Sequence, residues 1–216
     1  YIGIDNEKLG YELGEKLAEA LNHEGNIGVI AGDFQQAGHR MRVAGFEKYM
    51  EKETKFTDTV ILIDALFMDF VIDDLKKNFE RMLNRELHDV ELDKLITYIS
   101  LDADVREGSD EIQVLFIYGE NVKQLRHCHP SDLEKELNNT AFRNPLGEFS
   151  FFSFQPEGMA TIEELYLESL KIVADAKEID KLIVISFNEE YGEKVNDILN
   201  KVDGKEIIQF RMNEPE

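Results

Sequence analysis

The stretch Thr59-Val60-Ile61-Leu62-Ile63-Asp64 decides how the rest of the chain is read. Four consecutive apolar residues behind a β-branched threonine leave no polar face, so the segment reads as a strand covered on both sides. Asp64 marks its end. Leu182-Ile183-Val184-Ile185 has the same character and also runs into a polar turn, Ser186-Phe187-Asn188. Strands buried on both faces belong to parallel sheets sandwiched between helices, so the expected fold class is α/β, with a mostly parallel sheet flanked by helices.

Working outward from Asp64, helices are expected over about 67–83 and 91–103. In the second, Leu92, Leu95, Ile96 and Ile99 fall at i, i+3, i+4 and i+7. Further strands are expected over 112–118, 148–154 and 206–210, and helices over 161–176 and 189–201. Ser131-Asp132-Leu133-Glu134 and Thr161-Ile162-Glu163-Glu164 each fit a capping box. Phe149-Ser-Phe151-Phe152-Ser-Phe154 could stack nucleobases, but with Leu146 and its alternation it reads more simply as a buried strand. Upstream, Tyr1–Ile4 reads as a strand, Asp5-Asn6 as caps, and Glu7–Leu21 as a helix with Leu9, Leu13, Leu17 and Leu21 on one stripe. A strand at Ile27–Ala31, a loop at Gly32–Gly38 and a helix carrying Val43, Phe46 and Met50 follow. The charged stretch Glu51-Lys52-Glu53-Thr54-Lys55 separates this β-α-β-α fragment, 1–53, from a domain expected over 54–216. The two are expected to pack side by side.

Composition narrows the function classes. The 216 residues include 14 Phe and 7 Tyr, enough to bury a core, so a disordered chain is excluded. Only 4 Pro exclude collagen-like and mucin-like classes. No apolar run approaches the roughly 18 residues of a membrane span. The net charge of −21 disfavours nucleic acid and anionic membrane surfaces as partners. That charge is uneven: residues 1–53 carry net −4 and residues 54–216 net −17. A single cysteine excludes an internal disulfide and favours a reducing, cytoplasmic setting for 54–216. The chain begins at Tyr1 inside an expected strand, so the sequence is silent on export.

Tyr1-Ile-Gly-Ile-Asp5-Asn6, Leu9-Gly10, Gly28-Val-Ile-Ala-Gly32 and Arg40-Met-Arg42-Val-Ala-Gly45-Phe46 resemble the start of the second lobe of the LacI-type regulator and periplasmic sugar-binding family. The resemblance implies a Rossmann-like half-lobe and sugar binding through Asp5 and Arg42. Arg40 and Arg42 lie about 200° apart on a helix and cannot face one ligand; the family pattern selects Arg42. A plainer role competes, with solvated arginines and Asp5-Asn6 as a helix cap.

From Lys55 onward that pattern stops. Phe56-Thr-Asp-Thr-Val-Ile-Leu-Ile-Asp64-Ala-Leu-Phe67, Phe187-Asn188-Glu189-Glu190-Tyr191-Gly192 and Gly204-Lys-Glu-Ile-Ile-Gln-Phe-Arg-Met-Asn-Glu-Pro215 resemble a family of Bacteroidetes proteins that brings no established activity. The abrupt change suggests a composite, chimeric chain. The same stretch is distantly similar to the PIN/NYN nuclease-like fold. That family places an Asp after the first strand, carboxylates on a helix, and S-G-D-x-D-F after the fourth strand. Here those positions read Asp64, Glu163 or Glu164, and Ser186-Phe187-Asn188-Glu189-Glu190-Tyr191.

If the strands ending at Ile63 and Ile185 are neighbours, Asp64, Asn188 and Glu190 share one rim, where parallel sheets gather ligands. Asp64, Glu164 and Glu190 could then hold Mg²⁺ or Mn²⁺ for phosphodiester hydrolysis, with Asn188 assisting. Against catalysis, Asn188 lacks a charge where the family has Asp, and Glu190 is longer and looser. Asn188 also suits an N-cap, and Glu164 belongs to the Thr161 box. A non-catalytic, degenerate PIN-like module is therefore the leading expectation, with a protein or sugar as partner. The metal-dependent ribonuclease and the sugar binder are the alternatives. Of these, the interaction module is the one that requires an exposed apolar patch. His127-Cys128-His129 is a weak metal or nucleophile candidate, because in an extended segment Cys128 points away from both histidines.

Overall fold

A computed structural model of the chain describes residues 5–20, 37, 41–44, 46, 56–108, 111–120, 122–156 and 160–211. The strands expected at Tyr1–Ile4 and Ile27–Ala31, Arg40, the glycine loop apart from Ala37, and the charged stretch 51–55 lie outside these residues. The chain divides into two compact units, Tyr1–Lys55 and Phe56–Glu216.

In the first unit, helix α1 spans Asn6–Ala20. Asp5 starts it: its side chain accepts from the Lys8 amide at 3.1 Å, occupying a donor that the first helical turn leaves free. The leucine stripe is not the packed face. Leu9 and Leu13 are 43 % and 60 % exposed, and Gly10, Gly14 and Ala18 are buried instead. The reason is close backbone approach: a Cβ on Gly10 would lie 1.9 Å from the Arg42 carbonyl oxygen, in the helical segment 41–44. Only glycine admits that contact.

The second unit is built on a six-stranded sheet. Its elements are β1 (Thr59–Asp64), α2 (Ala65–Leu83), β2 (Val90–Glu91), α3 (Leu92–Asp102), β3 (Glu111–Ile117), β4 (Cys128–His129), a π-helical turn (Leu133–Leu137), β5 (Thr140–Asn144), β6 (Gly147–Phe154), α4 (Ile162–Asp175), β7 (Lys181–Ile185), α5 (Asn188–Leu199) and β8 (Glu206–Phe210). The sheet order is β5-β6-β3-β1-β7-β8, and β2 pairs with β4 in a separate ribbon. All neighbours in the large sheet run parallel except β5, which forms an antiparallel hairpin with β6.

β1 lies at the centre, and every one of its residues is buried. Its alternation divides the core. Ile61 and Ile63 pack with Met68 and Ile72 of α2 and Ile96 of α3, while Val60 and Leu62 pack with Tyr166 and Leu170 of α4 and Val195 of α5. A period-2 strand thus feeds two helical layers at once. The result is a Rossmann-like α/β fold, a mostly parallel sheet flanked by helices.

Two local expectations are corrected. The helical turn after Pro130 starts at Asp132, not Ser131: Asp132 Oδ1 accepts from the Glu134 and Lys135 amides, and Glu136 Oε2 accepts from the Ser131 and Asp132 amides. Asn188 is not an N-cap but the first residue of α5, behind Phe187. The Thr161 capping box forms as expected, and Phe149 and Phe151 are buried in the core.

Candidate functional site

The chain order sets where a site can form. From β1 it moves outward through β3 to β6, then crosses back to β7 on the opposite side of β1. Connections therefore diverge at the carboxyl ends of β1 and β7, the crevice where open α/β sheets bind ligands. The register places Ile63 beside Ile185, so Asp64 and Ser186-Phe187-Asn188 emerge side by side.

Asp64 is only 2 % exposed. One carboxylate oxygen accepts from the Phe67 amide at 3.0 Å, capping α2. The other accepts a short hydrogen bond from the Tyr191 hydroxyl. Burial raises the Asp64 pKa above the ordinary carboxylate value, and the bonds from Tyr191 and the α2 backbone offset part of that rise. Tyr191 reaches Asp64 because α5 is distorted at that residue, with φ −136° and ψ 19°. Burial first, and the Asp64 charge second, push the Tyr191 hydroxyl far above its usual pKa, so it is a donor at every working pH.

Tyr166 lies behind this pair, its ring 5.5 Å from that of Tyr191. Fully buried, it donates to the Ile185 carbonyl at 3.0 Å, with the Leu62 carbonyl at 3.4 Å. The two tyrosines and Asp64 thus tie α4, α5 and α2 to the ends of β1 and β7.

Asn188 is held differently. Its Oδ1 accepts from Gln209 Nε2 at 3.0 Å and Ser186 Oγ at 3.4 Å. Arg211 donates to Gln209 Oε1 at 2.7 Å, which fixes the Gln209 amide and hence which Asn188 atom accepts. Asn188 Nδ2 is buried with no hydrogen-bond partner among the described residues. Phe187 packs on Phe67, ring centroids 5.1 Å apart, and on Phe70 at 6.2 Å. Phe70 is 48 % exposed, so this lip of the crevice is apolar.

Glu164 and Glu190 are both exposed. Glu164 Oε2 accepts from the Thr161 amide at 2.8 Å and hydroxyl at 3.1 Å, and those bonds hold its pKa below the usual glutamate value. Neighbouring Glu163 pairs with Lys194, linking α4 to α5. Among the described residues no three His, Cys, Asp or Glu side chains converge on a point that could hold a metal ion. The donor set at the rim does not fit Mg²⁺ or Mn²⁺ either: Asp64 is 2 % exposed with each oxygen already accepting from a protein donor, and Asn188 turns its oxygen toward Gln209.

The remaining candidates have local roles. Arg42 Nε donates to Asn6 Oδ1 at 2.8 Å, and Asp5 caps α1. Burial pushes the Cys128 thiol up to about 12, so it is not a nucleophile at neutral pH. His127 Nε2 lies 3.1 Å from Asp73, and His127 Nδ1 lies 3.6 Å from Asp89. Beside it, Asp69, 3 % exposed, accepts from the Arg126 amide and Nε, both at 2.7 Å. This network fastens the 126–129 segment to α2.

The sequence singles out Asp64 as a candidate but neither Tyr191, which bonds it, nor Tyr166, which packs on Tyr191. Their signal was present: a tyrosine in an otherwise polar first turn of α5, and one on the buried stripe of α4.

Comparison with known proteins gives two matches. The model of a family of unknown function, DUF6621, matches residues 53–216. That of a periplasmic binding protein domain matches residues 1–90, so the two overlap over residues 53–90. No curated protein and no solved structure matches the chain.

Proposed function

We propose, for a chain that belongs to the DUF6621 family of unknown function, that the second unit is a non-catalytic, PIN-like interaction module. Its rim, where a nuclease of that fold would place its carboxylates, is closed by internal hydrogen bonds. The observation that carries this reading is the Tyr191 hydroxyl bound to the buried Asp64 carboxylate. A metal-ligating aspartate needs free lone pairs facing an accessible site. Asp64 instead spends its oxygens on the α2 cap and on Tyr191, and burial favours its neutral form. The neighbouring position carries an uncharged Asn188 rather than a second carboxylate. Beside the crevice, exposed Phe70 stacks on half-buried Phe187, which in turn packs on buried Phe67, and this apolar edge supports the interaction reading.

We further propose that residues 1–53 are a fragment of a sugar-binding-type lobe joined to this module, making the chain composite. The compact units divide near the start of the DUF6621 match, which supports that reading.

Thermal unfolding with millimolar Mn²⁺ tests the rim. A site filled at a hundred times its dissociation constant adds about 2.7 kcal/mol and shifts Tm by several degrees. The expected result is that Mn²⁺ moves wild type and Asp64→Asn equally, and that neither cleaves a model phosphodiester. Stabilisation of the wild type alone would select the metal-dependent phosphodiesterase instead.

A further inference from the structure

His127 sits where three parts of the second unit meet: helix α2, the loop 84–89 that leads from α2 to β2, and its own segment, which runs into β4. Its Nε2 lies 3.1 Å from Asp73 Oδ1 of α2. Its Nδ1 lies 3.5 Å from Lys76 Nζ of α2 and 3.6 Å from Asp89 Oδ1 of the loop. Lys76 itself binds the same Asp89 oxygen at 2.8 Å. The side chains of His127, Lys76 and Asp73 are only 28 %, 15 % and 14 % exposed, so their contacts are partly shielded from salt and water. The partners fix the tautomer. An ionised carboxylate only accepts, so Nε2 carries the hydrogen that points to Asp73. A neutral ring then offers Nδ1 as an acceptor to the Lys76 ammonium, which donates to it and to Asp89 at once. Protonation ends that arrangement. Nδ1 becomes a donor set against another donor 3.5 Å away, and the acceptor within its reach is Asp89.

We propose that His127 is a pH-operated switch that decides which residue holds Asp89. Neutral, it leaves Asp89 to Lys76, and the loop is tied to α2. Protonated, it takes Asp89 from Lys76, and the loop is tied to the 126–129 segment instead. The surrounding charges favour such an exchange. Asp69, Asp73, Lys76 and Lys77 of α2, Asp89 of the loop and Arg126 of the same segment are three carboxylates and three cations. That set balances around a neutral ring and leaves one positive charge too many around an imidazolium, so the Lys76 ammonium beside it is the group displaced. The backbone already joins loop and segment: the Val90 amide donates to the His127 carbonyl at 2.7 Å, and β2 pairs with β4. The exchange therefore shifts the anchorage of this ribbon away from Lys76, while Asp69 keeps its hold on Arg126. Histidine is the side chain that changes charge between about pH 5 and 8, so the switch answers to mild acidification. The inference stands apart from the reading of the rim, since none of these residues touches Asp64 or Tyr191.

NMR of the full chain, titrated from about pH 8 to about pH 5, tests it. At the alkaline end the ring nitrogens should show His127 protonated on Nε2 alone. The two Lys76 Hε protons, held by the bonds to Asp89 and Nδ1, should have distinct shifts. On acidification Nδ1 gains its proton, the Lys76 Hε shifts merge as the side chain is released, and the Asp89 and Val90 amides move with the same midpoint as the ring. His88 stands next to Asp89 and titrates too, so His88→Gln sets the background and should keep all three changes. His127→Gln, with an unchanged circular dichroism spectrum, should keep the Lys76 Hε shifts distinct to the acid end and remove the amide movement that His88→Gln retains. A His127 hydrogen on Nδ1 at the alkaline end would overturn the proposal, as would Lys76 signals indifferent to acid in the wild type. So would Lys76 and amide changes that persist in His127→Gln.

Discussion

Asp64 shows how one residue changes role with its surroundings. After a buried strand in a parallel sheet, an aspartate stands where ligands gather. Here it caps α2 and receives Tyr191. Because burial raises its pKa in the folded protein, the folded state holds the Asp64 proton more tightly than the unfolded state does. Its contribution to stability is therefore greatest below the unfolded value of 3.8, and falls as pH rises toward the raised folded value. Tyr191 opposes that fall by hydrogen bonding to the charged form. Tyr191→Phe should cost about 1–3 kcal/mol, and chemical denaturation should show a larger loss at pH 7 than at pH 4. An equal loss at both would mean that the hydroxyl does not serve the carboxylate.

At the scale of elements, Thr161 and Glu164 cap α4 reciprocally. Thr161→Ala should lower stability by about 1 kcal/mol in a urea melt, with no change in the m-value if the fold is otherwise kept. The elements most legible in the sequence were those whose own residues dictate them. β1 and β7 are unbroken apolar runs, and α4 announces its start with a capping box. β5 was not legible. Thr140-Ala-Phe-Arg-Asn144 is mostly polar, and it becomes a strand by pairing as an outer hairpin arm with β6. The two-residue strands β2 and β4 depend likewise on each other, joining residues 90–91 to 128–129. Along α1 the periodicity pointed to the leucines, and backbone contact at Gly10 chose the small-residue face instead. The site was half legible for the same reason. An aspartate after a strand can be seen in one dimension, whereas Tyr191 reaches it only through the β1–β7 register and the distortion of α5.

At the scale of the whole molecule, the net charge of −21 means that many surface carboxylates attract divalent cations weakly. Bulk metal binding therefore says little about the crevice, and a site-resolved probe is needed. No helix among the described residues is long and apolar enough to cross a membrane. The two compact units each rest on their own internal contacts: α1 against the 41–44 segment in one, the six-stranded sheet in the other. The central claim is that the second unit has turned the ligand-gathering end of its sheet into an internal fastening. The most direct test is a ¹³C NMR titration of the Asp64 carboxyl, with and without Mn²⁺. A buried, Tyr191-bound carboxyl predicts a midpoint above 3.8 and no Asp64 broadening beyond that of exposed carboxylates when Mn²⁺ is added. A midpoint at or below 3.8, with selective loss of the Asp64 signal in Mn²⁺, would contradict it.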